Sequence, residues 1–176
     1  MSETSIAALL KHLPETATTH AVINPSNGKK IYDLPQLDLE QVADTVAIAR
    51  TAAHSWSQTP VFERSKIMLR LTDLMLENQA KLLDLLQLET GKTRAHAFEE
   101  CSGAVSAPRY FAKIAGKTLA RRRTKAGIPV LTKTFVDHVP VGVVGVVTPW
   151  NYPLALTMLD VVPALVAGNA VVQKAD

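Results

Sequence analysis

From Val139 to Gln173 the only charged side chain is Asp160, and the order of residues within that stretch leaves few folds open. "VGVVGVV" at 141–147 is rich in β-branched residues without polar alternation, as a strand covered on both faces requires. "NYPLALTMLDVVPALVAG" at 151–168 reads as a helix opened by Pro153, whose fixed φ suits a first turn, and closed by Gly168. "NAVVQK" at 169–174 reads as a second short strand. Strand, helix and strand in about 32 residues form a βαβ unit. Parallel strands need such a crossover, and the right-handed connection packs the helix back onto a twisted sheet. The same stretch does not read as a membrane span, because Pro149, Asn151, Pro153, Asp160 and Pro163 leave no apolar run near 20 residues.

The chain before this unit is mostly helical in pattern. Residues 1–35 read as a short helix and then an extended arm, turned at "NPSNGKK" (24–30) through Asn27 and Gly28. Asp38 and Gln41 form a capping box for a helix carrying Val42, Val46, Ala49 and Ala53 to about His54. Thr59 followed by Pro60 predicts a cap and first-turn proline for a second helix, with Ile67, Leu71, Leu74 and Met75 on one face. Asn78 is the predicted cap of a third, carrying Leu82, Leu85, Leu86 and Gln87 to a stop at Gly91. Thr93 starts a fourth, kinked at Pro108 and ending near Gly116. From 117 the pattern changes: Gly127 and Pro129 lie near the centre of a polar stretch with alternating apolar residues from Leu131 to Val136, which predicts a projecting hairpin.

Composition narrows the function classes. Cys101 is the only cysteine, which excludes an intrachain disulfide and a multi-cysteine zinc site. The five histidines are scattered, so no metal site is expected. Much of the basic excess comes from "KTLARRRTK" at 117–125, a local cluster with no interleaved aromatics, which argues for a solvated loop and against a nucleic-acid face. "MSETSIAALLKHLPET" lacks a basic segment followed by an apolar one, so a cytoplasmic protein is expected.

Two motifs that suggest nucleotide binding fail on spacing. "ETGKT" at 89–93 ends like a P-loop, but Leu86, inside a helix, stands where that loop needs its first glycine. "GVVG" at 142–145 has two glycines within a strand, where a dinucleotide fingerprint needs three between strand and helix. Cys101 sits mid-helix beside Glu99 and Glu100, whose charges disfavour a thiolate, and reads as a packing residue. Asn151 follows the end of a strand and opens a helix. Its residue type favours a turn or cap, while its position is where α/β proteins put ligands. Lys174 closes the second strand, within reach of a phosphate or ribose beside Asn151 or simply of solvent.

Taken together, "PVGVVGVVTPWNYPL", "PALVAGNAVVQKAD", "NPSNGK", Trp56 with "ERSKIMLRLTDLMLENQ", and "LETGKT" resemble the aldehyde dehydrogenase superfamily, collinearly from about residue 23. The similarity is greatest to bacterial succinate-semialdehyde dehydrogenases. It implies an α/β chain with a helical N-terminal part at 1–116, a bridging, oligomer-forming hairpin at 117–139, and the first βαβ of a Rossmann-like cofactor sheet at 140–176. It implies NAD or NADP, held without the usual glycine fingerprint, and oxidation of an aldehyde to the acid. In such enzymes a cysteine attacks the aldehyde, a hydride passes to the nicotinamide and water releases the product.

By the same resemblance Asn151 matches the oxyanion asparagine. A neutral amide N–H donates to the charge growing on the thiohemiacetal oxygen without quenching a thiolate, and losing such a donor costs about 10²–10³ in rate. Thr148, Pro149, Trp150 and Asn151 itself match the cofactor-binding segment that borders the nicotinamide, and Lys174 matches the lysine that meets the adenosine ribose. Ala175 stands where the family often has proline, and the position that often separates NAD from NADP would be the residue after Asp176. The family's nucleophile and general-base motifs do not occur in these 176 residues, so an N-terminal portion without activity of its own is expected. The alternative is a non-catalytic remnant acting as a binding or interaction module.

Overall fold

Asn24 turns the chain back on itself. Its side-chain oxygen accepts from the Ser26 N–H (2.8 Å), its carbonyl accepts from the Gly28 N–H (2.8 Å), and Gly28 lies at φ +69°, where lack of a Cβ removes the usual penalty. The strands so joined, Thr18–Ile23 (β1) and Lys30–Gln36 (β2), are antiparallel, so the expected extended arm is a hairpin. This computed structural model describes residues 6, 10, 11, 13, 14, 16–128 and 130–174; the short helix expected at the N-terminus lies largely outside them, as does Ala175.

Leu39–Gln58 (α1) opens with the predicted capping box: Asp38 Oδ1 accepts from the Gln41 N–H (2.8 Å) and Gln41 Oε1 from the Asp38 N–H (3.0 Å). It runs four residues beyond His54, burying Ala49 and Ala53. Val61–Glu77 (α2) departs from expectation twice. Thr59 ends α1 instead of capping α2, because the Pro60 carbonyl already accepts from Glu63 and Arg64. The buried stripe is Arg64, Met68, Thr72 and Met75, while Ile67 and Leu74 are 49% and 41% exposed. The stripe is rotated because Arg64 finds carbonyl partners inside, which lets a charged residue take a core-facing place.

Gln79–Thr90 (α3) follows at Asn78, whose side chain caps no N–H of α3: Nδ2 donates to the Leu74 carbonyl of the preceding helix (2.9 Å) and Oδ1 accepts from Lys81 Nζ (3.0 Å). Gly91 stops α3 at φ +71°, and a Cβ there would lie 2.9 Å from Pro25 Cγ in the first turn. Arg94–Thr118 (α4) is capped by Thr93 Oγ1 as predicted. It continues through the buried Pro108 and ends two residues past Gly116. Arg122–Thr124 (β3) and Thr134–Val136 (β4) form the expected hairpin, with shorter strands than the alternation suggested.

Val143–Val147 (β5), Pro153–Val166 (α5) and Ala170–Lys174 (β6) complete the βαβ unit, with β5 and β6 parallel in the register Val143↔Ala170 to Val147↔Lys174. Ala49 and Ala53 of α1 pack on Ala170, Val143 and Val172, which share one face by strand alternation. Gln173, of the opposite parity, reaches Thr157 of α5. The main helical core joins Met68 of α2, Ala112 and Ala115 of α4, and Val162 and Val166 of α5. Alanines on α4 let the helices approach closely.

The C-terminal end of α5 is held by side chains far away in sequence. Trp56 Nε1 donates to the Leu165 carbonyl (2.8 Å) and Arg64 Nε to the Val166 carbonyl (2.9 Å). A positive guanidinium at this end complements the helix dipole. Gly168, at φ +96°, leaves room for it, since a Cβ there would lie 3.3 Å from Arg64 Cζ.

Candidate functional site at the strand ends

The ends of β5 and β6 bring the sequence-predicted residues into one region. Register puts Lys174 beside Val147, and the chain leaves β5 through Thr148, Pro149, Trp150 and Asn151 before α5 begins. Thr148 is buried, its Oγ1 3.2 Å from Thr157 Oγ1. Gln173 Nε2 donates to Thr157 Oγ1 (2.7 Å) and Thr148 Oγ1 (3.4 Å), tying strand end to helix. Pro149 is exposed, Trp150 is 51% exposed, and Lys174 lies at the exposed end of β6.

Asn151 is exposed, and its carboxamide makes no hydrogen bond among the described residues. It therefore does not cap α5. That leaves the first N–H groups of the helix to be satisfied otherwise, because the cap residue, Tyr152, offers no side-chain acceptor there. Glu100 of α4 meets the need. Its Oε1 accepts from the Leu154 N–H (2.8 Å) and the Ala155 N–H (3.3 Å), and its Oε2 accepts from Lys92 Nζ. The Glu100 side chain is fully buried and that of Lys92 is 11% exposed. A buried carboxylate is tolerable here because it has a cation on one oxygen and the positive end of a helix on the other. Lys92 also donates to the Asn151 carbonyl (2.9 Å) and lies 4.6 Å from the centre of the Tyr152 ring.

Beside this segment lies a cleft of about 240 Å³, lined by Leu82, Leu86 and Leu154 and by Thr148, Trp150 and Gln173. At its edge Tyr32 donates its hydroxyl proton to Glu89. Burial and the Glu89 carboxylate push the Tyr32 hydroxyl pKa well up. Burial also raises Glu89, against the hydrogen bond from Tyr32.

Cys101 is fully buried with Leu83, Leu86 and Ala97, and burial and the Glu100 charge push its thiol up, so it is the packing residue its sequence context implies. Among the described residues no group of three His, Cys, Asp or Glu could hold a metal ion. Nor is any described helix long and apolar enough to cross a membrane.

Reading the sequence alone missed Glu100 and Lys92 as neighbours of Asn151. One local signal existed: a helix opening with Tyr-Pro has no capping side chain and must borrow an acceptor. Nothing local says that the acceptor lies 54 residues away.

A profile of the aldehyde dehydrogenase family matches residues 12–176. A Mycolicibacterium smegmatis protein, provisionally named as an NADP(+) succinate-semialdehyde dehydrogenase, is 46% identical over 149 residues, covering 85% of this chain and 29% of its own length. A similarly named Mycobacterium ulcerans protein is 43% identical over 158 residues, covering 90% of this chain and 30% of its own. Among solved structures, a double mutant of Staphylococcus aureus betaine aldehyde dehydrogenase in complex with NAD⁺ superposes with a TM-score of 0.87. It is 31% identical, and the match covers 98% of this chain and 37% of that one. The chain thus spans between 29% and 37% of the length of these relatives.

Proposed function

The chain belongs to the aldehyde dehydrogenase family, and on that premise we propose that it supplies the oxyanion donor and one wall of the cofactor site in NAD(P)-dependent aldehyde oxidation. The observation that carries this reading is Asn151. Its carboxamide stands at the C-terminal end of a parallel strand without a hydrogen-bond partner among the described residues, while its backbone is held by a buried ion pair. An amide engaged in capping would be unavailable to a substrate; this one is not engaged. Its N–H would donate to the oxygen of the attacked aldehyde as negative charge develops, and its neutrality would leave a nearby thiolate reactive.

Thr148, Pro149 and Trp150 would border the nicotinamide end of the cofactor, and Lys174 would meet its ribose. In support, the exposed indole borders a cleft at the ends of parallel strands, backed by Thr148, Thr157 and Gln173, whose side chains are hydrogen-bonded to one another. At about 240 Å³ it suits one end of a dinucleotide, since pockets enclosing whole ligands of that kind run to roughly 300–1,000 Å³. The cofactor, when bound, accepts the hydride. The names of the mycobacterial relatives point to succinate semialdehyde as the aldehyde and to NADP, while NAD⁺ occupies the staphylococcal enzyme. The bridging hairpin, β3 with β4, would join copies of the whole protein. Its one thiol being sealed in the core, the 176-residue chain should form no NAD(P)H from an aldehyde.

Tryptophan fluorescence tests the proposal. NADP⁺ or NAD⁺ should quench the exposed Trp150 saturably, and Trp150→Phe should abolish the quench, because Trp56 is tied to α5. Lys174→Ala should weaken the nucleotide about tenfold, or ~1.4 kcal/mol, while Asn151→Ala should leave its affinity within about twofold. No quench with either nucleotide would sink the reading.

A further inference from the structure

We propose that Lys92 and Glu100 are positioning residues for Asn151, fixing the peptide from which its carboxamide projects. The proposal rests on the reading of Asn151 as a donor. A hydrogen-bond donor contributes to a transition state only when held within roughly 0.5 Å and 10–20° of its working geometry. The Asn151 carboxamide has no partner of its own among the described residues, so its aim depends on its backbone.

That backbone is gripped at both ends by one ion pair. Lys92 Nζ donates to the Asn151 carbonyl at 2.9 Å and stands 4.6 Å from the Tyr152 ring centre, holding two consecutive residues. Glu100 takes the Leu154 and Ala155 N–H groups on one oxygen and Lys92 on the other. The carbonyl of 151 and the amides of 154 and 155 are therefore linked through two side chains that are themselves shielded from water. Loosening either partner frees the 151–155 segment without touching the strands behind it.

The pair also gives "ETGKT" a use that its failed P-loop spacing left open. Gly91 ends α3 in the left-handed region and Thr93 caps α4, so the one residue between them, Lys92, is delivered by a turn fixed on both sides. Because its charge is matched by Glu100, the grip adds no net charge beside a site whose donor must stay neutral.

Amide hydrogen exchange on isotopically labelled full chain tests the proposal, with Lys92→Met, Lys92→Arg and Glu100→Gln as variants. Glu100→Gln should speed exchange at Leu154 and Ala155 at least tenfold while leaving Val146 in β5 and Val162 in mid-α5 within about twofold. Lys92→Met should shift the side-chain ¹⁵N–¹H pair of Asn151 and speed exchange at Leu154, and Lys92→Arg should restore both. Unchanged rates and an unchanged Asn151 signal would overturn the proposal. Exchange rising equally at Val146 and Val162 would also overturn it, because the pair would then be a general support and not a positioning device. Failure of the underlying reading of this region as a cofactor wall appears separately, as absence of nucleotide quenching in the unmodified chain.

Discussion

Arg64 is 7% exposed and has no carboxylate partner in the hydrogen bonds it makes; its donors go to the carbonyls of Val166, Ser57 and Thr59. Replacing it by methionine fills the space but leaves those carbonyls without their donor. Arg64→Met should therefore cost about 2–4 kcal/mol in urea unfolding, with Arg64→Lys in between. Gly91→Ala should cost about 1–3 kcal/mol in the same measurement, because the new Cβ meets Pro25 at 2.9 Å and the backbone is held at φ +71°. At this scale the sequence was legible where a residue acts on its own neighbours: Gly91 as a stop, Thr93 as a cap, Cys101 as packing. Asn151 was legible by position. Glu100 and Lys92 were not, because they act on residues more than 50 positions away.

α5 shows how an element can depend on others for both of its ends, with Glu100 of α4 at the start and Trp56 and Arg64 of α1 and α2 at the finish. Its existence was readable from Pro153 and Gly168, but its supports were not. The rotated face of α2 has the same origin, since periodicity counts apolar residues and cannot know that an arginine will find carbonyls inside. The N-terminal hairpin is tied to α3 by the Tyr32 hydroxyl on Glu89, and this tie is sensitive to alkali. Folding favours the protonated phenol, so Tyr32 binds its proton more tightly in the native state than in the unfolded chain. Its contribution is full below the ordinary tyrosine pKa near 10 and is lost as pH rises beyond it. Urea midpoints measured from pH 8 to 11 should fall for the wild type more steeply than for Tyr32→Phe, which should start lower because Glu89 loses its donor.

Over the whole molecule, the valine-rich run and its crossover predicted the parallel pair that organises the C-terminal part; the expected cover on both faces is only partial, since Val146 and Ala170 are buried while Val147 is 73% exposed. Which helix covers which face is decided by contacts between distant segments, and that was not readable. Aldehyde dehydrogenase membership is carried by the match over residues 12–176, and the strand ends of this unit are where its chemistry is proposed to lie. The most direct measurement is a ¹H–¹⁵N titration of the full chain with NADP⁺ and NAD⁺ to millimolar concentration. The account predicts saturable shifts concentrated at Thr148, Trp150, Asn151 and Lys174. An absence of shifts with both nucleotides, or shifts centred elsewhere, such as on the β3–β4 hairpin, would contradict it.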